Sequence, residues 1–371
     1  MSAVANMLNA ATREYIPLSG KKLINTFGQN TVLFSKLRKN KRNFEGGSGP
    51  EGDIRETIEF RPLPGGARKK GSTYVNVDVS TVQPIYFYIK LLEVTVVVNK
   101  VDMKVFNKGK DAIFNMVEKK LTRGMDDLGK YAEIGSYLPG IGASYNANFN
   151  GLSEICNDNS NVNSLGLTHD AYGGLSRTNT EYGYAVKGKT YNVNGAITHR
   201  QLLKSKKDVT VDNRGPSFGL TTPDCVVYIQ DRWQPQQRFT GTTDVDLSLP
   251  GWKFDNATIF ETRYAPGNWI SGASATSGEN RIAYEYINRT STNSGTPLTA
   301  YPTITGETFY WLNTDDEFMH LYVSTDPTYN FGFEEWIDNP DNDDLVGRFH
   351  LAANITAIDN RRQAELNQIK V

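Results

Sequence analysis

The fold is decided between Asp53 and Ile134, where DIRETIEF (53–60), RPLPGGARKKG (61–71) and IYFYIKLLEVTVVV (85–98) precede one long stretch of helical periodicity. In the first segment Ile54, Glu56, Ile58 and Phe60 alternate with Arg55, Thr57 and Glu59, which predicts a strand wet on much of both faces. The second segment cannot continue it, because Pro62 and Pro64 remove ladder donors and Gly65 and Gly66 permit a turn. Arg68, Lys69 and Lys70 therefore sit at the end of an arm. The third segment, rich in β-branched and aromatic residues, predicts a return strand from Ile85 to Val98 rooted in the body of the protein. From Met103 to Ile134, Phe106, Ile113, Val117, Leu121, Met125 and Leu128 recur at helical spacing among lysines and aspartates, one amphipathic helix ended by Pro139 and Gly140. No heptad is sustained, so its stripe is read as core. A hairpin this long has too little core of its own to stand alone. It needs a partner surface.

Upstream, residues 1 to 43 carry eight Lys and Arg residues against the single acid Glu14. Among them the run Lys36, Arg38, Lys39, Lys41 and Arg42 reads either as a face turned to nucleic acid or an acidic neighbour, or as a solvated helix face. EGGSGPEG (45–52) is a flexible break. Downstream, residues 141 to 195 have the Gly, Asn, Ser and Thr content of irregular loops. Ala196 to Lys206 predicts a short helix, and CVVYI within Asp224 to Gln230 a buried strand. Thr240 to Tyr301 alternates short β-like runs with long loops. Asn313 to Leu345 holds no Lys or Arg but includes Glu334, Glu335, Asp338, Asp341, Asp343 and Asp344, an acidic counterpart for the basic tip.

The 371 residues allow about two or three domains, and 38% apolar residues suffice for a real core. A formal net charge of -1 gives no global attraction to nucleic acid or anionic membranes, so any electrostatic partner is met locally. MSAVANMLNAATREYIPL (1–18) has neither a charged n-region nor an apolar h-region, and no run approaches the ~20 apolar residues of a membrane span. A cytosol-like compartment and no membrane partner are expected. Cys156 and Cys225 lack CxxC spacing and read as ordinary thiols, and the sequons at Asn256, Asn288 and Asn354 as chance matches.

Chemistry has no anchor. GYAVKGKT (183–190) fits the phosphate-loop pattern letter for letter, but a cradle needs an apolar strand before it and a helix after it. Here LSRTNTEY is polar and YNVNGA looks extended. His169, His199, His320 and His350 are scattered, and DNPDNDD (338–344) lacks the central Gly and terminal Glu of a calcium loop. No GxSxG elbow occurs. No catalytic residue, metal or cofactor is expected.

The order of elements, an α+β arrangement of basic arm, long hairpin, long helix, loop-rich centre and mixed β ending, resembles the major capsid proteins of tailed bacteriophages. Local matches are YGGLSRT (172–178), TTPDCVVYI (221–229) with Gln237, Arg238 and Phe239 after it, YWLNTDD (310–316) and NITAIDNRRQAELNQI (354–369). The resemblance implies the Hong Kong 97-type fold: an N-arm over 1–45, an E-loop hairpin and its root over 46–98, and a spine helix with the first part of the peripheral domain over 99–150. It further implies a mainly axial domain over 151–310, then a C-terminal β part of the peripheral domain with a return to the axial domain over 311–371.

By the same resemblance, copies of the chain form hexamers and pentamers of an icosahedral head shell around packaged dsDNA, held by non-specific contact. A portal occupies one vertex, and a decoration protein is a further partner. No long charged, helical pre-sequence precedes the arm, which implies a separate scaffolding protein. Assembly takes place in the host bacterial cytoplasm and the product is a virion capsid. Some relatives weld subunits by a Lys–Asn bond; Lys69 and Lys70 are present, but no motif selects a pair. Within this reading Arg68, Lys69 and Lys70 meet Glu334 to Asp344 of an adjacent subunit, and Lys36 to Arg42 faces genome or scaffold. Alternatives are an encapsulin-like bacterial compartment shell, a β-rich tail or adhesin protein, and a nucleotide-binding enzyme resting on residues 183–190 alone.

Overall fold

The computed structural model describes residues 31–45, 53–63, 66–71, 79–101, 110–140, 148–233, 241–244, 249–267, 306–339 and 343–371. The chain enters through α1 (Leu33–Lys39) and β1 (Lys41–Phe44), then forms the hairpin β2 (Asp53–Glu59) and β3 (Val82–Tyr88). β4 (Lys90–Asn99) and α2 (Lys110–Gly135) follow, then the one-turn α3 (Leu152–Ile155), the two-residue strands β5 (Ala171–Tyr172) and β6 (Leu175–Ser176), and β7 (Lys189–Gly195). Next come α4 (His199–Asp208), β8 (Phe218–Thr221), α5 (Pro223–Trp233), β9 (Gly241–Asp244), β10 (Leu249–Phe254) and β11 (Ala257–Glu261). The chain finishes with β12 (Glu307–Leu312), β13 (Met319–Ser324), β14 (Asn330–Asp338), β15 (Asp344–Ala357) and β16 (Ala364–Ile369).

Two sheets organise these elements. In the five-stranded sheet β1, β13, β15 and β14 lie in that order, and β4 pairs with β15 over Lys90 to Asn99. The long helix lies on this sheet. Val117, Leu121, Met125 and Leu128 are buried at helical spacing, and a Cβ on Gly124 would meet the Val96 side chain at 2.8 Å and the Phe349 ring at 2.9 Å. That closeness requires glycine at the crossing. The seven-stranded sheet runs β7-β16-β12-β8-β11-β10-β9. All six residues of β12 are buried, and its Trp311 donates Nε1–H to the carbonyl of Leu202 in α4 at 3.3 Å. Helix α4 begins at a reciprocal capping box between Thr198 and Gln201, in agreement with the helix expected over 196–206.

Three expectations are corrected. CVVYI belongs to helix α5, not to a strand: Cys225, Val226 and Ile229 are buried while Val227 is 64% exposed, a helical spacing started by Pro223 in the first turn. The return strand over 85–98 is two strands. β3 pairs only with β2 and β4 only with β15, the chain changing partner at Ile89. And β2 is wet on one face alone, because Glu56 shares the buried side with Ile54, Ile58 and Phe60. The start of the helix expected at Met103 lies outside the described residues, as do most of the N-arm, the break at 46–52 and much of the 240–301 tract.

Candidate assembly surface

The hairpin is antiparallel from Asp53 opposite Tyr88 to Glu59 opposite Val82. Its inner face, Ile54, Ile58, Phe60, Ile85 and Phe87, is buried on its own chain. Phe87 meets Tyr172 edge-on at 5.0 Å, and the amide of Tyr86 donates to the carbonyl of Gly173 at 3.1 Å. Gly173 has φ +54°, and a Cβ there would meet Ile85 Cβ at 2.8 Å and Phe87 Cζ at 2.9 Å. The β5–β6 turn is thus a seat for the hairpin root.

A buried polar cluster fixes the same root. The Glu56 carboxylate accepts from Tyr322 Oη at 2.7 Å and faces His320 Nδ1 at 2.7 Å, with Arg42 at 3.9 Å. His320 Nε2 lies 2.5 Å from the Asp316 carbonyl oxygen, so only a doubly protonated ring satisfies both of its partners while Glu56 is ionised. Burial works to raise the Glu56 carboxyl, but the hydrogen bonds from His320 and Tyr322 and the charges of His320 and Arg42 hold it below its ordinary 4.5.

The outer face stays open. Val82, Tyr86 and Tyr88 on β3 are each 44% exposed; in the other sheet, β4 exposes Leu91 at 60% and Val97 at 44%. Arg55 lies over the Tyr86 ring at 5.9 Å. Arg68, Lys69 and Lys70 are exposed at the tip, where Gly71 takes φ +89°. An apolar strip ending in a cationic tip is therefore presented by a hairpin whose other side is already occupied.

The acidic stretch is partly engaged within its own chain. Lys100 reaches Asp338 at 3.1 Å and Asp343 at 3.7 Å, while Glu334 faces His350 Nε2 at 3.2 Å and Arg348 at 3.7 Å. Asp344 pairs with Asn99 at the start of β15, Glu335 lies on β14 with Glu334, and Asp341 falls outside the described residues. Sequence reading missed Arg348, which lies just past the basic-free stretch, and Lys100, which is far upstream and is brought beside the acids only by the pairing of β4 with β15. Among the described residues, the ion pairs seen for Glu334, Asp338 and Asp343 are to Lys100, Arg348 and His350 of the same chain.

The basic run divides. Arg38 lies 4.9 Å over the Phe331 ring and burial lowers its pKa; Lys36 lies 5.7 Å over Phe218. Arg42 sits in β1 opposite Tyr322 and faces Glu56 and Asp316, whereas Lys39 and Lys41 are exposed. The entering helix is held by Glu133 of α2, a fully buried carboxylate accepting from the amides of Leu33 at 3.0 Å and Phe34 at 2.9 Å and from Tyr137 Oη at 3.0 Å. Burial pushes this carboxyl up, and the two amides act against that shift.

Residues 183–190 form no phosphate cradle. Gly183 to Val186 is a single 3₁₀ turn, and Lys189 opens the strand β7, so no helix follows the glycines. Their amides are spent within the fold: Gly183 donates to Asn179, Gly188 to Asn157 and Lys189 to Gln363. Cys156 and Cys225 are buried free thiols, both pushed up by burial, Cys225 to about 12. Among the described residues no group of three or more His, Cys, Asp or Glu gathers as a metal site, and no helix is long and apolar enough to cross a membrane.

No family model and no curated sequence matches the chain. Solved structures do. The chain is similar to that of the cyanophage A-1(L) capsid asymmetric unit with TM-score 0.59 and 12% identity, covering 91% of this chain and 92% of that one. It is similar to that of the holo-SrpI encapsulin complex from Synechococcus elongatus with TM-score 0.52 and 9% identity, covering 90% and 87%. Entering arm, two-stranded hairpin, long helix and two sheets, in this order and matched along nine-tenths of the chain, are the Hong Kong 97-type capsid fold.

Proposed function

We propose that this chain is the major capsid protein of a tailed bacteriophage, a structural subunit that packs as hexamers and pentamers into the icosahedral shell around dsDNA. The observation that carries the reading is the hairpin's outer face. Val82, Tyr86 and Tyr88 stay exposed although the inner face is fully seated. A second copy of the chain is the natural occupant, because a shell repeats each contact around a ring and modest interfaces accumulate. In this reading the five-stranded sheet with α2 is the peripheral domain, and the seven-stranded sheet the axial domain. The subunit's role is structural, without catalysis, and its place is the virion. Scaffolding protein, portal and decoration protein are the further partners this reading carries.

The tip residues Arg68, Lys69 and Lys70 contact the acidic stretch Glu334, Glu335, Asp338, Asp341, Asp343 and Asp344 of a neighbour, competing there with Lys100 and Arg348. Exposed pairs are each worth ~0 to 1 kcal/mol, so their effect on a shell comes from repetition. Lys39 and Lys41 are the members of the basic run best placed for genome or scaffold. Expression of the chain with its scaffolding partner, followed by negative-stain microscopy and light scattering, tests the assembly reading. Shells, tubes or capsomer rings are expected; monomers or dimers under all conditions overturn it. Reversing all three tip charges to Glu lowers shell yield, and undiminished yield refutes the tip contact. The second reading, an encapsulin-like compartment, is favoured by the likeness to the Synechococcus complex. Shells that protect a protein cargo and no DNA would select it.

A further inference from the structure

The face of β7 and β16 opposite α4 is covered by an asparagine-rich loop, NDNSNVNS (157–164), which the assembly reading does not use. The loop is folded tightly on itself. Asp158 Oδ1 accepts from the amides of Ser160 at 2.9 Å and Asn161 at 2.8 Å, and Asn157 Oδ1 from those of Asn159 at 2.9 Å and His169 at 3.1 Å. Asn161 Nδ2 donates to the Thr190 carbonyl at 3.1 Å, pinning the loop to β7.

Beneath it three oxygens stand without a donor. Glu365 is fully buried; its Oε1 accepts from the amide of Ser164 at 2.5 Å, and its Oε2 has no hydrogen-bond partner. Asn367, two residues on along β16 and also fully buried, donates Nδ2 to the Val162 carbonyl at 2.8 Å. That bond fixes the carboxamide orientation and leaves Oδ1 unpartnered. Asn192 is the register partner of Asn367 on β7, and its Oδ1 is likewise buried and unpartnered. Each side chain shares its sheet face with a residue bonded to the loop or to Cys156, since Thr190 Oγ1 donates to the Cys156 carbonyl at 3.1 Å. Burying an acceptor without a donor is costly, and a buried carboxylate oxygen more so. Asn192 opposite Asn367, with Glu365 two residues before it on the same face, sets three acceptors at neighbouring positions, an arrangement that a positive charge between them would satisfy.

We propose that Glu365, Asn367 and Asn192 bind a hard cation of the calcium class between the β7–β16 pair and the 157–164 loop. The donor set consists entirely of oxygen, carboxylate plus carboxamide, which suits calcium and not the softer metals that seek sulfur or imidazole. Burial, with the Asp158 charge adding to it, pushes the Glu365 carboxyl up to about 7, a penalty on the ionised form that a bound divalent ion would remove. The ion ties the loop to the sheet and supplies what the three oxygens lack.

The test is a calcium titration of the full chain, read by thermal melting and by terbium luminescence sensitised by tyrosine. Tyr310, whose hydroxyl meets Ser164 Oγ at 3.1 Å, is the nearby antenna. A saturable rise in melting temperature with calcium is expected, together with a terbium signal that calcium displaces. Glu365→Gln weakens both by about tenfold or more, and Asn192→Asp, which adds a carboxylate, tightens them. No calcium response in the wild type, an equal response in Glu365→Gln, or a response to sodium or potassium alone would overturn the proposal. Where Glu365→Gln fails to fold, unchanged affinity in Asn192→Asp overturns it.

Discussion

Glu56 and Glu59 look alike in DIRETIEF, yet removing them has very unequal expected consequences. Glu56→Ala takes the acceptor from Tyr322 Oη and from the buried His320 ring, both at 2.7 Å. Breaking a buried pair by removing one partner costs about 3 to 5 kcal/mol, because the other charge is left uncompensated. Arg42 contributes little to that figure, being 40% exposed and 3.9 Å away. Glu56→Gln keeps the shape and an acceptor but loses the charge, so about 2 kcal/mol is expected. Glu59→Ala, on the wet face of β2, changes stability by less than about 0.5 kcal/mol. Urea unfolding of the unassembled subunit by tryptophan fluorescence measures all three, and hydrogen exchange over 53–60 locates the loss. The carboxyl of Glu56 is held below 4.5, so its contribution is fully present above that value and is lost as pH falls through the lower, folded one. Glu56→Gln therefore flattens the acid limb of the stability curve. Equal losses in Glu56→Ala and Glu59→Ala, or an unchanged acid limb, would refute the reasoning.

Other substitutions probe the same frame. Glu133→Ala leaves two amides of α1 and the Tyr137 hydroxyl without their acceptor and costs about 3 kcal/mol, with faster hydrogen exchange over 33–39, whereas Glu133→Gln loses less than half of that. Gly173→Ala meets both a left-handed backbone and the Ile85 and Phe87 side chains, costing about 2 to 4 kcal/mol, seen as a lower urea midpoint and loosened exchange at 85–88. Burial, with the nearby Arg177, lowers His169 from 6.5 to about 4. The unfolded chain takes up that proton first, so stability falls as pH drops from 6.5 towards 4, by on the order of 3 kcal/mol in all. His169→Gln removes that slope, measured by urea unfolding across the window.

What could be read from the sequence was local. The strand at DIRETIEF and the spacing of Val117, Leu121, Met125 and Leu128 each lie within one element, and each is present in the fold, while Pro64 and Gly65 of the tip lie outside the described residues. The misreadings are places where a distant partner decides. Nothing near Ile89 marks the change from β2 to β15 as neighbour, because the aromatic first half and the β-branched second half both favour strand. Five residues of CVVYI are too few to reveal a helical period, although Thr222-Pro223 is a helix start in itself. Glu56 and its neighbour His320 stand 264 residues apart, and Lys100 meets Asp338 and Asp343 only because β4 lies beside β15. On the assembly surface the tip charges and acidic stretch stood out as composition, but which acids already have a cation is a property of the fold.

Strands β15 and β16 carry a consequence for synthesis. β15 joins β4, β13 and β14, and β16 lies between β7 and β12. Both are translated after every strand they bridge. A nascent chain on the ribosome therefore holds two incomplete sheets, with β7 and β12 lacking the strand between them, until residues 344–369 have emerged. Pairings so distant in sequence form slowly and leave edges open meanwhile. A product terminated before residue 344 lacks both bridges at once, and each of its two sheets keeps strands without their neighbour.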